Sequence, residues 1–257
     1  MTNALVSYAV SKGVAHIQFL RPEKRNALTT AMYIDMVSYL AQAEQDSAVR
    51  CVVFSGAGEH FSAGNDLADF LNAPPMTEAS PVVQLLFALA RATKPLIAAV
   101  EGFAVGIGTT LLLHCDFAFA ARDAKFSLPF VNLALVPEAA SSLLLPKIAG
   151  YTRAAELLML GEAFDSVKAT HCGLLTDVCE HGQALARALE TAEKLSKKPP
   201  AALRSAKRLM KAPLLASIES AIHNEIAIFT QCLQSPEAKE AFQAFMEKRV
   251  PDFSRFE

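Results

Sequence analysis

An α/β fold is predicted by three features of the 257-residue sequence: short apolar runs that read as buried strands, helix-periodic stretches between them, and a continuous helical pattern at the end of the chain. The runs Cys51-Val52-Val53-Phe54 and Leu96 to Val100 are apolar at every position. That suits strands covered on both faces, in a parallel sheet whose crossovers are helices. Taking the elements in order, Val6 to Leu20 alternates around a Ser11-Lys12-Gly13 turn, which predicts a β-hairpin closing one edge of the sheet. Thr29 or Thr30 is placed to cap a helix running to about Gln45. The proline-rich polar stretch from Asn72 to Pro81 reads as a mobile loop framing a pocket. From about residue 180 the pattern is helical throughout, with Pro199-Pro200 and Pro213 expected to interrupt it. Residues 1–199 are therefore expected to form the strand-bearing core and residues 200–257 a helical C-terminal region.

A chain of this length can bury roughly three quarters of its unfolded surface, so neither a disulfide nor a metal is needed to hold it. Its net charge of −2 offers no broad basic surface, which argues against nucleic acid as the main partner. The five cysteines (Cys51, Cys115, Cys172, Cys179, Cys232) form an odd set without CxxC spacing and read as buried thiols in a reducing compartment. The first residues lack the pattern of a secretory or organellar leader, and the last, S-R-F-E, are not a peroxisomal address. The apolar stretch from Leu96 to Ala121 is broken by Glu101, three glycines, His114 and Asp116, against a membrane span. A cytoplasmic protein without membrane association is the expectation.

The most informative residues lie in two glycine turns, H-F-S-A-G-N-D-L at His60 to Leu67 and E-G-F-A-V-G-I-G-T-T at Glu101 to Thr110. Each follows a strand-like run and precedes a helix-like pattern, where backbone N–H groups have no intrahelical acceptor. Two such donors aimed at one point make an oxyanion hole, which stabilises charge on a carbonyl oxygen. That narrows the chemistry to acyl transfer or to enolate formation beside a carbonyl. No serine elbow or Cys/His pair accompanies the turns, which favours the enolate.

With these residues stand R-P-E-K-R-N-A-L from Arg21, K-P-L-I-A-A-V-E-G from Lys94, H-C-D from His114 and F-M-E-K-R from Phe245, and in this order and spacing the chain resembles the crotonase, or enoyl-CoA hydratase/isomerase, superfamily along nearly its whole length. The resemblance implies a spiral of ββα turns with a C-terminal helical trimerisation region, a homotrimer or dimer of trimers, and an acyl-CoA thioester substrate. It implies no metal, and no cofactor beyond the coenzyme A of the substrate. Carried over residue by residue, it makes the N–H groups of Asn65 and Ile107 the oxyanion donors, following Gly64 and Gly106. Ile107 replaces the commoner middle glycine, which is tolerable if its φ is negative. The same resemblance assigns Ala63, Gly64, Asp66, Leu67 and Gly106 to the coenzyme A and acyl contacts, with Asp66 also suited to cap a helix from Leu67 to Leu71. Lys24 and Arg25 stand where phosphates are contacted, and Phe245 and Lys248 where relatives send an aromatic ring and an ammonium from a neighbouring subunit.

Hydratases of this superfamily place water with two glutamates, and the matching positions here read Thr110 and Phe130. Glu138, just after Pro137 at an expected helix start, is the acid the sequence supplies instead. In this it is similar to the Δ3,Δ2-enoyl-CoA isomerases of the peroxisomal type, whose single glutamate is the base. Such an enzyme moves the double bond of a 3-enoyl-CoA into conjugation during fatty-acid β-oxidation. The apolar residues around Glu138 are expected to raise its pKa. Two other readings stay open: a specialised hydratase or other crotonase-type enzyme, and a non-catalytic acyl-CoA-binding subunit. His114 reads as a packed imidazole rather than a catalyst.

Overall fold

The computed structural model describes residues 4–72 and 77–256. Strands β1 (Val6–Ser11) and β2 (Val14–Phe19) form the expected antiparallel hairpin, and Lys12 and Gly13 between them take the positive φ that a tight hairpin turn needs (51° and 81°). Thr29 accepts a hydrogen bond from the Met32 N–H and caps helix α1 (Thr30–Gln45), whose Met32, Met36, Leu40 and Ala43 form a buried stripe. The chain continues through β3 (Cys51–Gly56), α2 (Leu67–Asn72), α3 (Pro81–Arg91), β4 (Leu96–Val100), β5 (Phe103–Val105), α4 (Ile107–Thr110), β6 (Phe117–Ala121) and β7 (Lys125–Ser127). Then come α5 (Ser141–Ala149), α6 (Tyr151–Leu160), β8 (Phe164–Asp165), α7 (Ser166–His171), β9 (Asp177–Cys179), α8 (Ala184–Ser196), α9 (Pro200–Leu233) and α10 (Pro236–Glu247).

The main sheet has the order β1-β2-β3-β4-β6-β9, with β1 at its edge and every pairing from β2 onward parallel. A smaller sheet has the order β5-β7-β8. The chain lays β4 in the first sheet and β5 in the second, then β6 in the first and β7 in the second. Ser62, just after β3, bridges Ala104 of β5 in parallel and continues the same alternation. Repetition of this step winds the chain into a spiral of ββα turns.

The fully apolar strand runs are explained by burial on both faces. Val52 and Phe54 of β3 face the main core with Leu96, Ala98 and the helices, while Cys51 and Val53 face the other side, where Ala184, Ala188 and Ala192 of α8 cover them. The C-terminal helices join the same core through Ile218, Ile222, Phe229 and Phe242. Lys207 of α9 anchors them, its Nζ donating to the Lys94 carbonyl and to Asp116 Oδ2, each at 2.7 Å.

Pro213 does not interrupt the pattern as expected, for α9 runs straight through it. Pro213 lies on an exposed turn, and the helix is held by buried residues on either side, Lys207 before it and Ile218, Ile222 and Phe229 after it. Packing of an amphipathic face outweighs the one lost backbone bond. The expected loop from Asn72 to Pro81 falls partly outside the described residues, at positions 73–76. All five cysteines are free thiols, two of them buried and three partly so. Among the described residues no helix is long and apolar enough to cross a membrane, and no cluster of His, Cys, Asp and Glu is placed to hold a metal.

Candidate active site

The two glycine turns meet. A Cβ built on Gly64 would lie 2.8 Å from the Val105 carbonyl oxygen and 3.9 Å from the Gly106 nitrogen, so only glycine, here at φ 85°, permits the approach. Gly106 takes φ 53° and ψ −119°, which turns the chain so that Ile107 begins α4 with an ordinary negative φ. The parallel bridge between Leu28 and Asn65 uses the Gly64 carbonyl and the Asp66 N–H, and therefore directs the Asn65 N–H the other way. The Ile107 N–H opens the first turn of α4 and has no intrahelical acceptor. Both residues line one cleft of about 550 Å³.

That cleft gathers most of the residues singled out in the sequence: Lys24, Ala63, Gly64, Asp66, Leu67, Gly106 and Phe245 line it with Asn65 and Ile107. Arg25 lies beyond its rim, in a neighbouring depression shared with Ala63 and Lys125, its guanidinium 5.5 Å from the centre of the Phe103 ring. Asp66 caps α2 through the N–H groups of Ala68 and Asp69 and pairs with Arg21 at 2.6 Å. Phe245 is among the residues that line this cleft in its own chain. Phe229 and Phe242 contact the Phe70 ring, and Arg249 and Arg255 pair with Glu240, which together fold α10 back over the cleft. Lys248 ends α10 in the left-handed conformation and is not part of the lining. A second cleft of about 490 Å³, between the end of α3 and the start of α9, contains none of these residues.

Next to the main cleft, and sharing Asn65, Phe70 and Phe229 with it, is a small recess whose other walls are Val82, Val83, Leu86, Ile226 and Glu138. Among the described residues Glu138 is the only acid lining that recess, and it is 9% exposed. Its Oε1 accepts a hydrogen bond from Thr110 Oγ1 at 2.5 Å, while Oε2 is buried without a partner. Burial raises the Glu138 pKa to about 8; the Thr110 hydrogen bond opposes that shift and the charge of Glu225 adds to it. Phe130 lines the cleft, and Tyr33 on α1 donates to Asn65 Oδ1 at 2.5 Å.

Glu138 does not start a helix as expected, because α5 begins only at Ser141. Between them Ala139 and Ala140 are both left-handed, at φ 62° and 56°. Each such non-glycine residue costs on the order of 1 kcal/mol or more and persists only where its surroundings over-determine it. Here they do. His114 Nε2 lies 2.8 Å from the Ala139 carbonyl and donates to it, and burial lowers the His114 pKa to about 4, so the ring stays neutral. From α9, Glu225 Oε2 accepts from the Ala140 N–H at 2.7 Å, and Oε1 accepts from the Ser142 N–H at 3.0 Å and the Ser142 hydroxyl at 2.5 Å. Sequence reasoning missed Glu225. Its signal was an acid on the otherwise apolar stripe Ile218, Ile222, Phe229, where a charge demands a partner.

The chain matches, over residues 9–255, a family model described as enoyl-CoA hydratase/isomerase. It is 33% identical over 236 residues to the 2,3-dehydroadipyl-CoA hydratase of Escherichia coli, covering 91% of this chain and 92% of that one. It is 32% identical over 246 residues to the peroxisomal enoyl-CoA delta isomerase 3 of Mus musculus, covering 93% and 77%. Among solved structures it resembles an enoyl-CoA hydratase/isomerase from Pseudoalteromonas atlantica, with a TM-score of 0.93 at 36% identity, covering 97% of this chain and all of the other.

Proposed function

The chain belongs to the enoyl-CoA hydratase/isomerase family, and from that premise we propose that it shifts the double bond of a 3-enoyl-CoA to the 2-position, with Glu138 as its single acid/base. The observation that carries this reading is the state of the Glu138 carboxyl: one oxygen is held by Thr110 and, among the described residues, the other is unpartnered beside an apolar recess that no other acid lines.

In this reading the thioester carbonyl accepts hydrogen bonds from the Asn65 and Ile107 N–H groups. Ionised Glu138 removes a proton from C2, and the electrons of that C–H bond pass into the thioester to form a dienolate. The carboxyl then returns the proton to C4, leaving the double bond between C2 and C3. No water enters the balance, which agrees with the apolar walls of the recess. Each backbone donor lowers the barrier by roughly 3 kcal/mol. A pKa of about 8 makes Glu138 a stronger base than an ordinary carboxylate and keeps it mostly protonated at neutral pH, so kcat/KM rises with pH until Glu138 is ionised. Lys24 at the mouth of the cleft supplies a cation for the coenzyme A phosphates. The homotrimer or dimer of trimers that the family resemblance implies belongs to the same reading, and the exposed Tyr151, Met159, Leu160 and Val167 of α6 and α7 are available to an interface between subunits.

Hydration is the rival activity, and it needs a water held between two carboxylates. Thr110 and Phe130 occupy those positions here, and neither is an acid. The test follows absorbance of the conjugated enoyl thioester. A 3-enoyl-CoA should produce a rise that Glu138→Gln reduces by about 10³-fold or more, whereas crotonyl-CoA should show no fall. Turnover retained in Glu138→Gln would refute the assignment, and hydration of crotonyl-CoA would transfer the protein to the hydratases.

A further inference from the structure

Glu225 is a buried acid 85 residues downstream of the turn that it binds, and the mechanism above gives it no part. Its carboxylate is fully engaged, yet not by a cation: all three of its donors, the Ala140 N–H, the Ser142 N–H and the Ser142 hydroxyl, belong to the segment just after Glu138. Without acceptors, those two backbone N–H groups would be left unpaired beside two alanines that already hold an unfavourable backbone conformation. The turn would then relax, and Glu138 with it.

Resting on the reading of Glu138 as the base, we propose that Glu225 is a positioning residue for it, clamping the turn from Ala139 to Ser142 so that the free carboxylate oxygen of Glu138 faces the acyl recess. The helix that carries Glu225 also supplies Ile226 and Phe229 to the wall of that recess. The base and the surface it works against are thereby set by one rigid element. This arrangement couples the C-terminal region to the chemistry without contact with substrate.

Charge acts along the same path. Ionised Glu225 pushes the Glu138 pKa upward, in addition to the effect of burial, while Glu225 itself is raised by burial to about 7 against the pull of its three hydrogen bonds. The other ionisable groups around the turn are His114, on which Lys207 and Lys211 of α9 act, and Tyr33 of α1, whose hydroxyl is pushed up by burial, Glu138 and Asp69 of α2. Removing the Glu225 charge therefore lowers the pKa of Glu138, which a loss of packing that leaves Glu138 buried would not do.

The experiment compares wild type, Glu225→Gln, Ser142→Ala and Glu138→Gln by steady-state isomerisation of a 3-enoyl-CoA across pH, with thermal melting as a fold control. Glu225→Gln keeps the size but presents an amide N–H₂ to backbone donors. We expect it to lose about 10²-fold in kcat with KM changed by less than about threefold, and the acid limb of kcat/KM to move to lower pH. Ser142→Ala, which removes one donor and so raises the Glu225 pKa, should lose less of kcat and move the limb to lower pH by less than Glu225→Gln does. Wild-type kcat and an unmoved limb in folded Glu225→Gln would overturn the inference while leaving Glu138 as the base. If Glu225→Gln does not fold, wild-type kcat in Ser142→Ala overturns it. Absence of turnover in wild type, or its persistence in Glu138→Gln, removes the underlying reading and the inference with it.

Discussion

The main sheet and the turn at Glu138 are both deeply buried, and they are built on opposite rules. In β3 and β4 every residue from Cys51 to Ser55 and from Leu96 to Val100 is buried, and the backbone pairs in regular parallel register. In the turn, two consecutive alanines are left-handed, one acid has an unpartnered oxygen, and a second acid serves as a clamp. The sheet holds what is stable anyway. The turn holds what would otherwise rearrange, and the chemistry is found there.

Mutation should separate the two regions sharply. Glu138→Gln has the largest expected effect: loss of isomerisation together with a gain in stability at pH 8, measured by denaturant midpoint, because a buried charge has been removed. Phe54→Ala should do the reverse, costing about 3–5 kcal/mol of stability while folded protein turns over normally; Phe54 is fully buried in β3.

The pH dependence sharpens the same contrast. Glu138 has a folded pKa of about 8 and Glu225 of about 7, both above the ordinary value of 4.5, so the folded protein binds more protons than the unfolded chain in between. Their stabilising effect is complete below about pH 4.5 and is lost as pH rises toward 8, so the melting temperature should fall across that window. Glu138→Gln should flatten the fall, and a profile unchanged in that variant would contradict the raised pKa. Thr110→Val removes the hydrogen bond that opposes the shift and should move the acid limb of kcat/KM to higher pH.

The smallest effect is also a direct comparison of backbones. Ala140→Gly relieves the left-handed strain but loosens the unfolded chain, leaving stability within about 0.5 kcal/mol of wild type. Ala98→Gly, the same change in the middle of β4, has no strain to relieve and should cost about 1 kcal/mol. Equal losses at the two sites would refute the strained assignment of the turn.

Much of this was legible in advance, for reasons visible in particular residues. The hairpin, the Thr29 cap and the parallel strands announce themselves through turn chemistry, a capping side chain and runs such as Cys51 to Phe54, all of which are local. The glycine turns announced their positions for the same reason. Other features were not local. A helix start was expected at Glu138 because Pro137 precedes it, but bonds from His114 and Glu225 hold Ala139 and Ala140 out of the helix. Pro213 was expected to break a helix that packing on both sides of it keeps intact.

By itself the sequence determined the hairpin, the first helix, the buried strands Cys51 to Phe54 and Leu96 to Val100 and which turns need glycine, since each of these follows from neighbouring residues and chain geometry, and the family resemblance added that Glu138 stands where hydratase acids do not. Only the tertiary structure decided that Gly64 touches Val105, that Phe245 lines its own chain's cleft, and that Glu225 reaches back to the turn behind Glu138. Those contacts join residues far apart in the chain, and their formation depends on how whole faces pack, which no local pattern encodes.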